Sequence, residues 1–132
     1  MRLQIVTPDR AVLDEEVDEV YAPGANGEFG VLPEHVTFLT SLDIGVLRYR
    51  AEGKDEFVAI AGGVTEVLDN VVTILADSAE KRDEIDLERA QAARDRALES
   101  MSLTMTPTEV LEARIRLLRA LARIRAANRR SG

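Results

Sequence analysis

Histidine, cysteine and convergent carboxylates carry most acid–base and metal chemistry in proteins, and this chain is poorly supplied with the first two. His35 is its single histidine and it has no cysteine. A thiolate zinc site, a cysteine nucleophile and a disulfide scaffold are thereby excluded, and a serine triad would have to be built on one imidazole. Neither a catalytic residue nor a metal site is expected. The stretch Gly24-Ala25-Asn26-Gly27-Glu28-Phe29-Gly30 is rich in glycine, but it lacks the terminal Gly-Lys-Ser/Thr of a phosphate loop and the spacing of a dinucleotide-binding turn. Glu28 also repels phosphate. The glycines are read as permitting a tight turn between strands.

Arginine is where the chain is generous. The net charge of −7 divides unevenly: residues 1–84 hold 7 Lys/Arg against 18 Asp/Glu, net −11, whereas residues 85–132 hold 10 Arg against 6 Asp/Glu, net +4. An acidic body is unsuited to nucleic acid, whose binding rests on Lys/Arg neutralising phosphates, and no nucleic-acid partner is expected. The basic tail calls for an anionic ligand or an acidic protein surface.

The elements that must position these residues fall into two modules. Up to about Ala76, short β-rich runs alternate with turn residues, which favours a sandwich or barrel. Glu56 to Ala61 is apolar on both alternating faces, as suits a strand buried between two layers. Val64 to Leu68 and Val71 to Leu75 flank Asp69-Asn70, residues that tolerate the positive φ of a tight hairpin turn. Ile44 to Ala51 with Glu52-Gly53-Lys54 gives another strand and turn. From Asp86 the β-branched residues yield to Ala, Leu, Arg and Glu, good helix formers. Asp86 can cap a helix whose Ala90, Ala93, Ala97 and Met101 share one face. Ser102 to Thr106 interrupts it, and Thr106-Pro107-Thr108-Glu109 supplies a capping box with proline at the first helical position. The second helix is expected to bury Val110, Leu111, Ile115, Leu117, Leu118, Leu121, Ala122 and Ile124. No apolar run approaches the ~20 residues of a membrane span, direct insertion is not expected, and the N-terminal residues carry no leader pattern.

Pro23-Gly24 through Phe29-Gly30-Val31-Leu32-Pro33-Glu34-His35 resembles the signature of the epsilon subunit of bacterial F-type ATP synthases. Asp43-Ile44-Gly45-Val46-Leu47-Arg48, Gly62-Gly63-Val64-Thr65-Glu66-Val67, Val72 through Glu80 and Ile85-Asp86-Leu87-Glu88-Arg89-Ala90 follow in the family's order and spacing. Val36-Thr37-Phe38 departs from it, since the family commonly has Ala-Pro-Leu there. The resemblance implies a β-sandwich of roughly ten strands over residues 1–84 and an antiparallel two-helix hairpin over residues 85–132. It implies a non-catalytic rotor subunit of the proton- or sodium-translocating enzyme, peripheral on the cytoplasmic face of the plasma membrane. The body would bind the gamma subunit and the c-ring, with Glu28 in the turn meeting the ring and His35 in the region facing gamma. The residues alone favour a partly buried His35 hydrogen-bonded within its own domain.

Members of the family that bind ATP share an Ile/Leu-Asp-x-x-Arg-Ala motif, matched here by Ile85, Asp86, Arg89 and Ala90. Carried over by position, the supporting residues are Glu80, Arg96, Arg119 and Arg123. Arg89 and Arg96 lie two helical turns apart and Arg119 and Arg123 one turn apart, so each pair can leave one helix face and bond a triphosphate through planar forks. The plainer reading makes Asp86 a helix cap and lets the arginines solubilise the surface or pair with Asp95 and Glu99. ATP would be a regulatory ligand of a compact form. No cofactor is required. In an extended form the basic helix, through Arg114, Arg116, Arg119, Arg123 and Arg125, would enter the alpha/beta hexamer, meet an acidic beta segment and inhibit hydrolysis. The competing reading is a free-standing adaptor that binds an acidic partner through the same helix.

Overall fold

Two long strands decide the architecture, because each serves both layers of the sandwich. The structure is a computed structural model that describes residues 1–33, 37–103 and 105–129. The chain forms β1 (Arg2–Val6), β2 (Ala11–Glu16), β3 (Glu19–Gly24), β4 (Gly27–Val31), β5 (Phe38–Ala51), β6 (Lys54–Leu68), β7 (Val71–Ala76) and β8 (Ala79–Lys81). Hydrogen bonding joins them in the order β2-β1-β7-β6-β5-β3-β4, with β8 also on β6. β1 and β7 run parallel.

In β6, Val58 and Ile60 enter the main core, but farther along Thr65 and Val67 are the buried ones. The inward parity changes from even to odd, which a straight strand cannot do. The change falls at Gly62 and Gly63, with φ of +76° and +125°, values that side chains rarely adopt. A Cβ on Gly63 would also run into the backbone of Leu75 and Ala76. β5 changes parity between Leu42 and Leu47. The sequence suggested two strands separated by these glycines; the structure shows one bent strand, since β6 stays hydrogen-bonded to β5 on both sides of the bend. Counting β5 and β6 once in each layer, the eight strands supply the sandwich of about ten segments expected from the sequence. The hairpin turns are as anticipated: Asp69 and Asn70 have φ of 50° and 63°, and Glu52 and Gly53 53° and 77°, the pattern of a primed turn.

Ahead of the bend, Phe57 and Ala59 of β6 point away from the main core, and a helical hairpin covers them. Its helices are α1 (Leu87–Met101) and α2 (Pro107–Asn128). Both starts follow the sequence signals. The Arg89 N–H donates to Asp86 Oδ1 at 3.1 Å, while the Glu109 N–H donates to Thr106 Oγ1 at 3.2 Å and Glu109 Oε1 accepts the Thr106 N–H at 3.1 Å.

The buried faces of α2 differ from the expected leucine stripe. Ala113, Ala120, Ala122 and Ala126 are buried, while Val110, Leu111 and Leu118 are exposed and Ile115, Leu117, Leu121 and Ile124 half-buried. The reason is that α2 lies between two partners. Ala122 and Ala126 meet Phe57 and Ala59, flanked by Ile44, Val46 and Ile85, and α1 packs elsewhere on α2 with Ala90 and Ala97 buried. Small side chains allow the close approach that two narrow contacts need.

The joint between the modules is a single 3₁₀ turn, Arg82–Glu84. Arg10, from the β1–β2 turn, grips Glu84 with both ends of its guanidinium, at 2.8 and 3.0 Å, and also donates to the Ala79 carbonyl. Glu84 accepts the Lys81 N–H as well. The Arg10 hydrogen bond is the main reason its carboxyl titrates below the usual glutamate range. Arg82 bonds Glu56 at 3.2 Å and the Arg129 carbonyl at 3.1 Å.

Two measurements probe these features. The Thr65 hydroxyl is buried with no hydrogen-bond partner among the described residues, so Thr65→Val should raise the denaturant midpoint, by about 1 kcal/mol of stability. Because the folded-state pKa of Glu84 is depressed, its contribution is complete above the unfolded value of about 4.3 and fades as pH falls through the folded one. Arg10→Gln should therefore lower the melting temperature at neutral pH, and the gap from wild type should close as the solution is acidified; a gap independent of pH would contradict the assignment.

Candidate functional site

Where the flank of the helical hairpin meets the end of β8, a cleft of about 670 Å³ opens. Its floor is small because Ala90, Ala93 and Ala97 of α1 line it. Arg89 and Arg96 enter from α1, and Arg116, Arg119 and Arg123 from α2, where spacings of three and four residues keep them on one flank. Glu80, Glu84 and Asp86 stand at the end nearest the sandwich, since they come from β8, the 3₁₀ turn and the cap of α1.

Five guanidinium groups thus face three carboxylates, and all three carboxylates are already engaged. Glu80 Oε1 accepts from Arg123 Nε at 2.5 Å, Glu84 is held by Arg10 from outside the cleft, and Asp86 caps α1. Among the described residues, Arg89, Arg96, Arg116 and Arg119 have no carboxylate within ion-pair distance. Nearby, Arg94 pairs with Asp95 at 3.0 Å instead. An acidic protein has thus gathered unneutralised positive charge in one concave place, which suits a polyanion bound by charge-assisted forks.

Of the residues singled out from the sequence, Glu80, Asp86, Arg89, Ala90, Arg96, Arg119 and Arg123 are brought together here. Ile85 is not among the lining residues; half-buried, it packs against the cluster formed by Phe57, Ala59, Ala122 and Ala126. Arg114 and Arg125 are exposed and lie outside the cleft. Glu28 is exposed on β4 and borders a second cleft of about 350 Å³ with Asp43, Arg48, Arg125 and Arg129. His35 lies outside the described residues. Among the described residues no group of His, Cys, Asp and Glu is arranged to hold a metal ion, and no helix is long and apolar enough to cross a membrane.

Sequence reasoning missed two charged residues of the cleft, Arg116 and Glu84. Arg116 had been placed only on the basic helix, although its position three residues before Arg119 signals a shared flank. Glu84 carried no such signal, because its orientation depends on Arg10, 74 residues away.

The comparisons with known proteins agree over nearly the whole chain. Residues 1–82 match the ATP synthase delta/epsilon chain beta-sandwich domain, and residues 83–128 match the long alpha-helix domain of the same family. The ATP synthase epsilon chain of Nitratidesulfovibrio vulgaris is 50% identical over 125 residues, covering 95% of this chain and 93% of that one. That of Syntrophobacter fumaroxidans is 50% identical over 129 residues, covering 98% and 96%. Among solved structures, a chain of the cryo-EM structure of the Euglena gracilis mitochondrial ATP synthase, comprising OSCP, F1 and c-ring, superposes with a TM-score of 0.81 at 28% identity, covering 96% of this chain and 80% of that one. With both modules matched in order and half of the residues shared with bacterial epsilon chains, the chain belongs to the ATP synthase delta/epsilon family, whose epsilon chains are non-catalytic subunits of that complex.

Proposed function

We propose that this chain is a rotor subunit joining gamma to the c-ring on the cytoplasmic face of the membrane, and that its helical hairpin restrains ATP hydrolysis and binds ATP when docked on the sandwich. The observation that carries the regulatory part is the arginine cleft. Four guanidinium groups with no carboxylate partner among the described residues repel one another across two helices, and a triphosphate between them relieves the repulsion while tying α1 to α2. Because Glu80 is supplied by β8 of the sandwich, the complete cleft exists only while the hairpin is docked. A ligand that binds one state shifts the population by RT ln(1 + [L]/Kd), roughly 2.7 kcal/mol at a hundredfold excess over Kd. In the undocked state the basic face of α2 would be available to an acidic segment of the alpha/beta hexamer.

The rotor role draws on a different surface. Val6, Leu75 and Val64 are hydrogen-bonded neighbours across β1, β7 and β6, exposed at 37%, 51% and 37%, with Leu39 nearby on β5 at 70%. A contiguous apolar stripe on an open sheet face marks a protein interface, here assigned to gamma. The β3–β4 hairpin, which bears Glu28, is assigned to the c-ring. A free-standing adaptor would have no need of this stripe.

Calorimetry on the isolated chain should give saturable ATP binding that Arg89→Ala or Arg123→Ala weakens about tenfold or more, each losing a charge-assisted bond; no heat at millimolar ATP would refute the nucleotide site. In the assembled complex, deleting residues 86–132 should raise ATPase activity while leaving gamma and the c-ring bound. Unchanged hydrolysis by the truncated complex would remove the inhibitory role, and loss of gamma would show that the apolar stripe is not the whole interface.

A further inference from the structure

The two ends of the arginine cleft differ chemically. All its carboxylates sit at the sandwich end, on Glu80, Glu84 and Asp86. Moving outward, α1 presents Arg89, then Arg96 and Ser100, while the antiparallel α2 presents Arg123, Arg119 and finally Arg116. Arg89 to Arg96 spans about 10 Å at 1.5 Å per residue, and so does Arg123 to Arg116. At the inner end Arg123 is already neutralised by Glu80. At the outer end Arg96 and Arg116 have no carboxylate within ion-pair distance among the described residues.

This gradient orients a nucleotide. Carboxylate oxygens have several lone-pair sites and accept only from donors, so the spare capacity of Glu80 and Asp86 suits ribose hydroxyls and the exocyclic amine of a base and rejects phosphate. The phosphate chain must point the other way, along the arginine ladder toward the hairpin tip. Its most highly charged group, the terminal phosphate, then reaches the outermost rung. On the basis of the nucleotide reading above, we propose that Arg116 is a specificity-determining residue of this cleft, the guanidinium that reads the terminal phosphate and makes the site prefer a nucleoside triphosphate to a diphosphate. Arg119, one turn inward, serves the phosphates common to both.

The side chain of Arg116 is exposed on the helix flank, so its replacement leaves the core untouched. The test is calorimetric titration of the full chain with ATP, ADP and AMP for wild type, Arg116→Gln and Arg114→Gln. Arg114 lies two residues away, outside the cleft, and its replacement makes the same change in net charge. Arg116→Gln should weaken ATP about tenfold and leave ADP and AMP within about twofold, collapsing the preference for triphosphate, whereas Arg114→Gln should leave all three affinities and their ratios unchanged. Equal weakening of ATP and ADP by Arg116→Gln, an unchanged ATP affinity, or the same loss in Arg114→Gln would overturn the proposal while leaving the cleft a nucleotide site. A wild-type chain that binds no nucleotide would overturn the underlying reading as well.

Discussion

The contact of Ala122 and Ala126 with Phe57 and Ala59 is the interaction on which the rest of the molecule depends. It sets α2 on the outer face of the sandwich, and α2 in turn carries α1. Without it the cleft would lose its inner wall, because Glu80 comes from β8 while Arg119 and Arg123 come from α2. The contact is thin. Each buried methyl contributes about 0.8 kcal/mol, far less than a row of buried leucines would. The main core, by contrast, includes Leu3, Ile5, Leu47, Ile60 and Ile74, each at most 1% exposed. Stability is thereby concentrated in the sandwich, and the attachment of the hairpin is left to a few small groups.

Polar ties compensate at specific points. Glu80 with Arg123 and Arg82 with Glu56 and the Arg129 carbonyl all cross the boundary between sandwich and hairpin, and Arg10 with Glu84 fixes the turn that joins them. Partly exposed pairs of this kind are worth little singly and are weakened by salt. Their value is directional: they hold the inner end of the cleft in register. By engaging the local carboxylates they also leave the remaining arginines unneutralised, so the packing that docks the hairpin and the charge that would attract an anion arise from one arrangement.

The bend at Gly62–Gly63 has a comparable reach. By carrying β6 from one layer into the other, it turns Phe57 and Ala59 toward α2 on one side and leaves Val64 exposed in line with Leu75 and Val6 on the other. One strand therefore supplies both the docking face for the helices and part of the apolar stripe. A straight strand would have kept one parity throughout and could not have done both.

Local rules were enough for much of this. The turns at Asp69-Asn70 and Glu52-Gly53, the caps at Asp86 and Thr106, the apolar doubling of Glu56–Ala61 and the break between the helices are properties of a few adjacent residues, and the sequence determined each of them by itself. The motif residues from Glu80 to Arg123 were legible through the family resemblance, carried over by position, and helical spacing added only that Arg89 with Arg96 and Arg119 with Arg123 can each share one flank. What only the tertiary structure decided depends on partners distant in the chain: that alanines and not leucines would face inward on α2, that a glycine pair would bend a strand and not end it, that Ile85 would pack under α2 outside the cleft, and that Glu84 would be held by Arg10. Burial and charge neutralisation are set by whichever group arrives opposite, and a single sequence specifies its own groups but not their meeting.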